Sequence, residues 1–201
     1  MDTRTLLIVV DYQFDFAHPS GALYVSGGEK IRTKIEELLS SSRFTFRIAT
    51  RDWHPPNHIS FAASWPGKKP FDVAAAPYGK QVLWPVHCVA GHAGAELHFD
   101  TSRVDAIFDK GREPARENYS VFTTEDRQKT PFYAMVENLR PEEIHICGLA
   151  LDFCVQATAL DALAIAPKVT VFGNAVQAVS PEGHEETLEI FKRKGIHVET
   201  A

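Results

Sequence analysis

Short apolar runs and longer amphipathic stretches take turns along this chain. Residues 6–10 form an unbroken apolar run with β-branched side chains, the pattern of a strand covered on both faces. Ile31, Ile35, Leu38 and Leu39 then recur at i, i+4, i+7 and i+8, which marks one apolar face of a helix. Residues 44–50 read as a second strand, 104–108 as a third, 144–149 as a fourth, 168–172 as a fifth and 196–198 as a sixth. Helical patterns cover 131–139 and about 154–164, the latter with Leu160, Leu163 and Ala164 as expected core contacts. A last helix is punctuated by Ser180 as N-cap, Pro181 at the first helical position and Gly195 just past the end. Between residue 51 and about residue 100 the periodicity fades and Pro, Gly, His and Trp accumulate. An irregular stretch of that length usually builds a site.

Repeated strand–helix alternation predicts the α/β class: a single-domain, Rossmann-like three-layer sandwich around a mostly parallel six-stranded sheet. The length of 201 residues suits one domain spanning 1–201, and 44% apolar content is enough for its core. Acidic residues outnumber basic ones 26 to 21, a net charge of -5 with no basic block, so no nucleic-acid partner is expected. No apolar run approaches the ~18 residues of a membrane span and no signal-peptide pattern is seen, so a cytoplasmic location away from membranes is expected. Three cysteines, an odd number without CxxC spacing, fit reduced thiols.

In a parallel sheet, ligands bind beyond the carboxyl ends of the strands. Asp11 follows the first predicted strand, Asp52 and His54 the second and Lys110 the third, while Cys154 stands five residues beyond the fourth. Each also has a plain reading. An Asp after a strand is often a turn former, a Lys before Gly111 is often a solvated charge, and a Cys is often an inert small hydrophobe. That plain reading suits Cys147, inside a strand, and Cys88. Cys154 differs because it sits where a strand gives way to a helix, whose N-terminal amides and dipole favour a thiolate. Lys110 could lower the thiol pKa further, and Asp11 could accept its proton and return it to a leaving amine. Asp52 and His54, two apart in extended chain, point to the same side. With His87 they offer a carboxylate and two imidazoles, which suits zinc, iron or manganese with positions left open. His58 is a candidate further ligand or supporting partner. His92 and His98 are weaker candidates, and His18, His145, His184 and His197 read as surface or packing residues.

Taken together, these segments resemble the nicotinamidase branch of the isochorismatase-like cysteine hydrolases. Asp11-Tyr12-Gln13-Phe14-Asp15-Phe16 resembles the family's opening D-x-Q-N-D-F, and Thr50-Arg51-Asp52-Trp53-His54-Pro55 with Asn57-His58-Ile59-Ser60-Phe61 is similar to its metal loop. Trp84-Pro85-Val86-His87-Cys88-Val89 is similar to its second metal segment, Lys110-Gly111 to its lysine segment, and Gly148-Leu149-Ala150-Leu151-Asp152-Phe153-Cys154-Val155 to its nucleophile segment. The blocks span residues 6 to about 165 in the family's order, and it is their combination that is specific.

The resemblance implies Cys154 as nucleophile, Asp11 as general base and Lys110 as third member of the triad. It implies Asp52, His54 and His87 as ligands of one divalent metal ion, zinc first, with iron or manganese as alternatives. Phe16 and Trp84 match aromatics that sandwich the substrate ring, and the backbone amides of Ala150 and Cys154 would form an oxyanion hole after a cis Leu149–Ala150 peptide. The implied activity is hydrolysis of nicotinamide to nicotinate and ammonia in NAD salvage, through a thioester, with pyrazinamide as a further substrate. The alternative is a related cysteine amidase acting on a carbamoyl, ureido or other small amide. A homo-oligomer also fits the family. Two departures stand out: Phe14 replaces the usual Asn and Leu151 a small polar residue, so both are expected to reshape the pocket.

Overall fold

In the computed structural model, which describes residues 4–200, the elements run β1 (Thr5–Val10), α1 (Phe14–Ala17), α2 (Arg32–Ser40), β2 (Phe46–Asp52), β3 (Val73–Ala76), β4 (Gly79–Val82), β5 (Ala106–Lys110), α3 (Pro131–Leu139), β6 (Glu143–Leu149), α4 (Gln156–Ala162), β7 (Lys168–Gln177), α5 (Pro181–Lys194) and β8 (His197–Glu199). Six strands form one sheet in the order β5-β2-β1-β6-β7-β8. Every pairing in it is parallel, so the sheet is more uniform than the expected mostly parallel one.

Apolar continuity in β1 has a direct structural cause. Leu6, Ile8 and Val10 face a core shared with α3, α4 and α5 through Phe132, Val136, Ala159 and Phe191. Leu7 and Val9 face the opposite layer, closed by Ile35, Leu38 and Leu39 of α2. A strand covered on both faces needs apolar side chains at both parities. The last helix keeps its predicted punctuation: the Ser180 side chain caps Gly183 N, and Gly195 ends the helix with φ +76. Among the described residues, no helix is long and apolar enough to cross a membrane.

Strand ends moved where side chains serve the site. The second and third predicted strands lie two residues later than expected, so Asp52 and Lys110 end their strands and sit as direct register partners. β7 runs on to Gln177, past an irregularity where residues 172–175 face only residue 147 of β6. The loop-rich stretch after residue 51 contains the small antiparallel β3–β4 hairpin, which its alanines and glycine hid.

The chain steps outward from β1 to β2 and β5, then returns to the other flank of β1 as β6. That reversal opens a crevice at the carboxyl ends of β1 and β6, the usual ligand position in such sheets. Gly148 lets the two strands close there: at φ +117, a side chain on it would run into the Val10 backbone.

Candidate active site

Asp11, Lys110 and Cys154 come together from three distant parts of the chain. Asp11 leaves β1 with φ +45, a left-handed turn that Asp tolerates, and its Oδ1 accepts a 2.7 Å hydrogen bond from Thr50 Oγ1. Lys110 Nζ lies 2.9 Å from Asp11 Oδ2 and 3.4 Å from Cys154 Sγ, and also contacts Asp52 Oδ1. Carboxylate oxygens of Asp11 and Asp52 and the Cys154 sulfur all lie within 4.8 Å of one another. Cys154 is carried on a π-helical turn, Leu151–Val155, which leads into α4. The Ala150 carbonyl accepts from Phe153 N and Val155 N at 3.1 Å each, which fixes that turn immediately after the cis Leu149–Ala150 peptide.

Burial sets the protonation states. It drives the Cys154 thiol well above its ordinary value; Lys110 opposes this, but Asp11 and Asp52 reinforce it. Burial thus opposes the helix start and the lysine that favour a thiolate, and a base is needed to take the thiol proton. Burial also raises the Asp11 carboxyl to about 6, helped by Asp52 and opposed by Lys110 and Thr50. For Lys110, burial works against the ammonium, yet Asp11 and Asp52 hold it well above its usual range. The cluster thus pairs a protonated sulfur with a carboxylate able to take its proton near neutrality.

A second group adjoins the first. One ligand atom each from Asp52, His54 and His87 falls within a 4.8 Å sphere of mutual distances, and all three residues are buried. His54 Nδ1 bonds the Gly111 carbonyl at 2.9 Å and His87 Nδ1 the Pro85 carbonyl at 2.8 Å, so each imidazole can direct a bare Nε2 inward. Burial lowers His87 to about 4, keeping it neutral. For His54, burial opposes charge but Asp52 raises the pKa above its usual value, so a cation and a proton compete for that nitrogen. Two carbonyl-oriented imidazoles and one carboxylate fit a divalent metal ion.

Backbone ties explain how loops bring these groups together. The Gln13 side chain accepts from Asp52 N at 2.7 Å and donates to Asp52 O and Ala95 O, both at 2.8 Å. His54 N donates to Cys88 O, and Asp15 Oδ2 accepts from Cys88 N at 2.7 Å, which lays the 84–89 segment beside residue 54. Gly111, at φ +62, supplies the carbonyl for His54, and a side chain on it would strike that imidazole.

The pocket above is lined by Phe16, Trp84, Phe153, Tyr119, Leu23 and Val25, with Cys154, Ala150, Asp52, His54 and His87 at its polar end. Trp84 Nε1 donates to the Tyr119 hydroxyl at 3.0 Å, which holds the indole in place. His58 stacks on His54 with centroids 4.1 Å apart, while its Nδ1 meets Ser60 Oγ and its Nε2 meets Arg116 O. With both nitrogens engaged, it supports His54. Cys147 and Cys88 are buried in the α2-side core. His145 is fully buried with Nε2 3.0 Å from Glu143, a packing role.

Neither departure from the family pattern lines the pocket. Phe14 stacks on His18 at 4.5 Å and meets His98 edge-on at 5.7 Å, and Leu151 is buried in the core under α4. Glu117 was missed by the sequence reading. It is 3% exposed and lines the pocket, yet in the sequence it is one acidic residue in a polar loop.

The chain is similar to known proteins along most of its length. The isochorismatase domain model matches residues 5–201. A nicotinamidase from Acinetobacter baylyi is 41% identical over 180 residues, covering 88% of this chain and 83% of that protein. The yeast nicotinamidase bound to the inhibitor nicotinaldehyde superposes with a TM-score of 0.91 at 34% identity, over 98% of this chain and 100% of that one. The pyrazinamidase of Pyrococcus horikoshii in complex with zinc gives a TM-score of 0.81 at 36% identity, over 98% and 99% of the two chains.

Proposed function

The chain belongs to the isochorismatase domain family, and from its pocket we propose that it hydrolyses nicotinamide to nicotinate and ammonia, with pyrazinamide as a further substrate. The carrying observation is the meeting of the Asp11–Lys110–Cys154 cluster with the Asp52–His54–His87 group in one aromatic-lined pocket. Relatives named as nicotinamidases support the choice of substrate.

Asp52, His54 and His87 would hold the metal, zinc first by analogy with the zinc-bound pyrazinamidase. When bound, it supplies a Lewis-acid anchor for the ring nitrogen, directly or through water. Phe16 and Trp84 would hold the ring, placing the carboxamide carbon near Cys154 and removing much of the orientational cost of attack. Asp11 takes the thiol proton as sulfur adds to the carbonyl carbon. The carbonyl electron pair moves to oxygen, where the amides of Ala150 and Cys154 donate, each such donor being worth roughly 2.7–4 kcal/mol. Asp11 then passes the proton to the amide nitrogen, the C–N bond breaks, ammonia leaves and a thioester remains. Water deprotonated by Asp11 adds to that thioester and expels the sulfur as a thiol, giving nicotinate. Lys110 keeps Asp11 ionised and steadies negative charge on sulfur.

An ammonia-release panel tests the assignment. Nicotinamide and pyrazinamide should turn over, benzamide, which lacks the ring nitrogen, should be at least about tenfold slower in kcat/KM, and chelator should abolish the difference. Faster release from a ureido compound than from nicotinamide would move the enzyme to the carbamoyl-amidase side of the family.

The Asp11 carboxyl also fixes a pH profile. It must be ionised to act as base, and burial places it at about 6. As pH falls through that value the base is lost, so kcat/KM should decline about tenfold per pH unit on the acid side. The thiol sits well above its ordinary range, so the profile should stay level through neutrality. A stopped assay of ammonia across the range checks this, and activity undiminished at pH 5 would remove Asp11 from the base role.

A further inference from the structure

Among the described residues, three buried carboxylates but one ammonium gather at and beside this pocket. Asp11 and Asp52 share Lys110, while Glu117, 3% exposed, lines the cavity with no lysine or arginine paired to it among the described residues. Neighbouring Arg116 turns outward, to Glu113 and Asp126. Among the described residues the Glu117 side chain accepts one hydrogen bond, from Asn118 N to Oε1 at 2.9 Å. A buried carboxylate so poorly compensated is costly unless a positive partner meets it.

Its position points to that partner. Ligand atoms of Glu117, His54 and His58 lie within 4.8 Å of one another, so the carboxylate flanks the imidazole that also belongs to the Asp52–His54–His87 group. The loop is clamped in this pose: Arg116 O meets His58 Nε2 at 3.0 Å, and Asn118 Oδ1 accepts from Gly111 N at 2.7 Å. The loop that carries Glu117 is thus tied to the glycine whose carbonyl orients His54. With His54 and His87 neutral as ligands, three carboxylates less one ammonium leave two negative charges, which one divalent cation neutralises.

We propose that Glu117 is a positioning residue that balances the charge of the metal and governs how tightly a divalent ion is held. This rests on the metal reading of Asp52, His54 and His87 and adds a residue to it. With the ion gone Glu117 has no lysine or arginine partner among the described residues and faces only the His54 and His58 imidazoles; with the ion present the divalent charge compensates the carboxylate, so its charge contributes metal affinity.

Metal-free protein, its Glu117→Gln and Glu117→Asp variants, and Zn2+ titrated against a chromophoric chelator provide the test. Gln keeps the shape and the acceptor oxygen but removes the charge. Glu117→Gln should weaken Zn2+ binding about 10- to 100-fold, the range found for supporting residues around metal sites, while the metal-free variant melts no lower than wild type. Glu117→Asp, which retains the charge, should bind more tightly than the Gln variant. Zn2+ affinity of Glu117→Gln within threefold of wild type overturns the proposal, as does equal weakening in both variants. Failure of metal-free Glu117→Gln to fold also overturns it, because the charge would then serve the fold. Wild-type protein that takes up no Zn2+ removes the proposal together with the metal reading beneath it.

Discussion

Cys154→Ala should lower ammonia release from nicotinamide by at least about 10⁴-fold while leaving the fold and the bound metal in place. The size follows from the role: removing a nucleophile eliminates the covalent route, and what remains is catalysis by binding and oxyanion donors, as nucleophile deletions in hydrolases show. The selectivity follows from position. Cys154 Sγ lies 3.4 Å from Lys110 Nζ, but the Asp11–Lys110–Asp52 ion pairs and the His54 and His87 orientations do not pass through it. Alanine removes one buried sulfur at the edge of the core under α4, which costs little packing. Turnover should be read beside metal content and nicotinamide binding, the latter followed by fluorescence of Trp84 in the pocket wall. Turnover within tenfold of wild type would show that sulfur is not the attacking atom. A variant with lost turnover and also lost metal would show that Cys154 holds the site together instead of reacting in it.

How far the site could be read in advance depended on where its information resides. Parallel strands put functional groups at their carboxyl ends, so Asp11, Asp52, Lys110 and Cys154 were legible from strand placement even with ends misjudged by two residues. The Asp52–Lys110 register pairing was not, because it depends on the exact last residue of β2 and β5. Gln13 stands in a recognisable motif, but nothing in its spacing tells that its amide grips the Asp52 backbone 39 residues away. How strongly the thiol holds its proton was not legible either. Sequence shows the helix start and the nearby lysine, both of which favour a thiolate. It does not show the depth of burial, which outweighs them.

The same distinction separates Glu117 from the residues found by motif. A lone glutamate between Arg116 and Asn118 has the composition of a solvated loop, and only the fold turns it inward while its neighbour turns out. β3 and β4 were hidden differently: Val73–Ala76 and Gly79–Val82 carry too few large apolar side chains to display a strand period. β7 outruns its predicted end because its apolar pattern stops at Gly173 and Asn174, where it departs from regular pairing with β6.

Lys110→Met should damage activity and stability together, because it removes the one cation that two buried carboxylates share. Methionine has a similar reach and packs well, so the loss is electrostatic. Without the ammonium, Asp11 and Asp52, whose oxygens lie within 4.8 Å, cannot both stay ionised in so dry a place. Protonating Asp11 removes the base, and protonating Asp52 removes a metal ligand. Breaking a buried pair by deleting one partner typically costs about 3–5 kcal/mol. For a domain of this length, each kcal/mol lowers the melting temperature by about 2–4 °C. Metal-free Lys110→Met should therefore melt roughly 6–20 °C below wild type. Its kcat/KM at neutral pH should fall at least about 10³-fold, with the acid limb displaced to higher pH as Asp11 loses the charge that opposed its protonation. Adding Asp11→Asn should recover part of the lost stability but none of the activity, since the double variant leaves one buried carboxylate instead of two. Calorimetry of the single and double variants, with a pH–rate profile of the single variant, checks each part. A melting temperature unchanged in Lys110→Met, or an acid limb still at about 6, would mean that Asp11 does not depend on Lys110 for its charge.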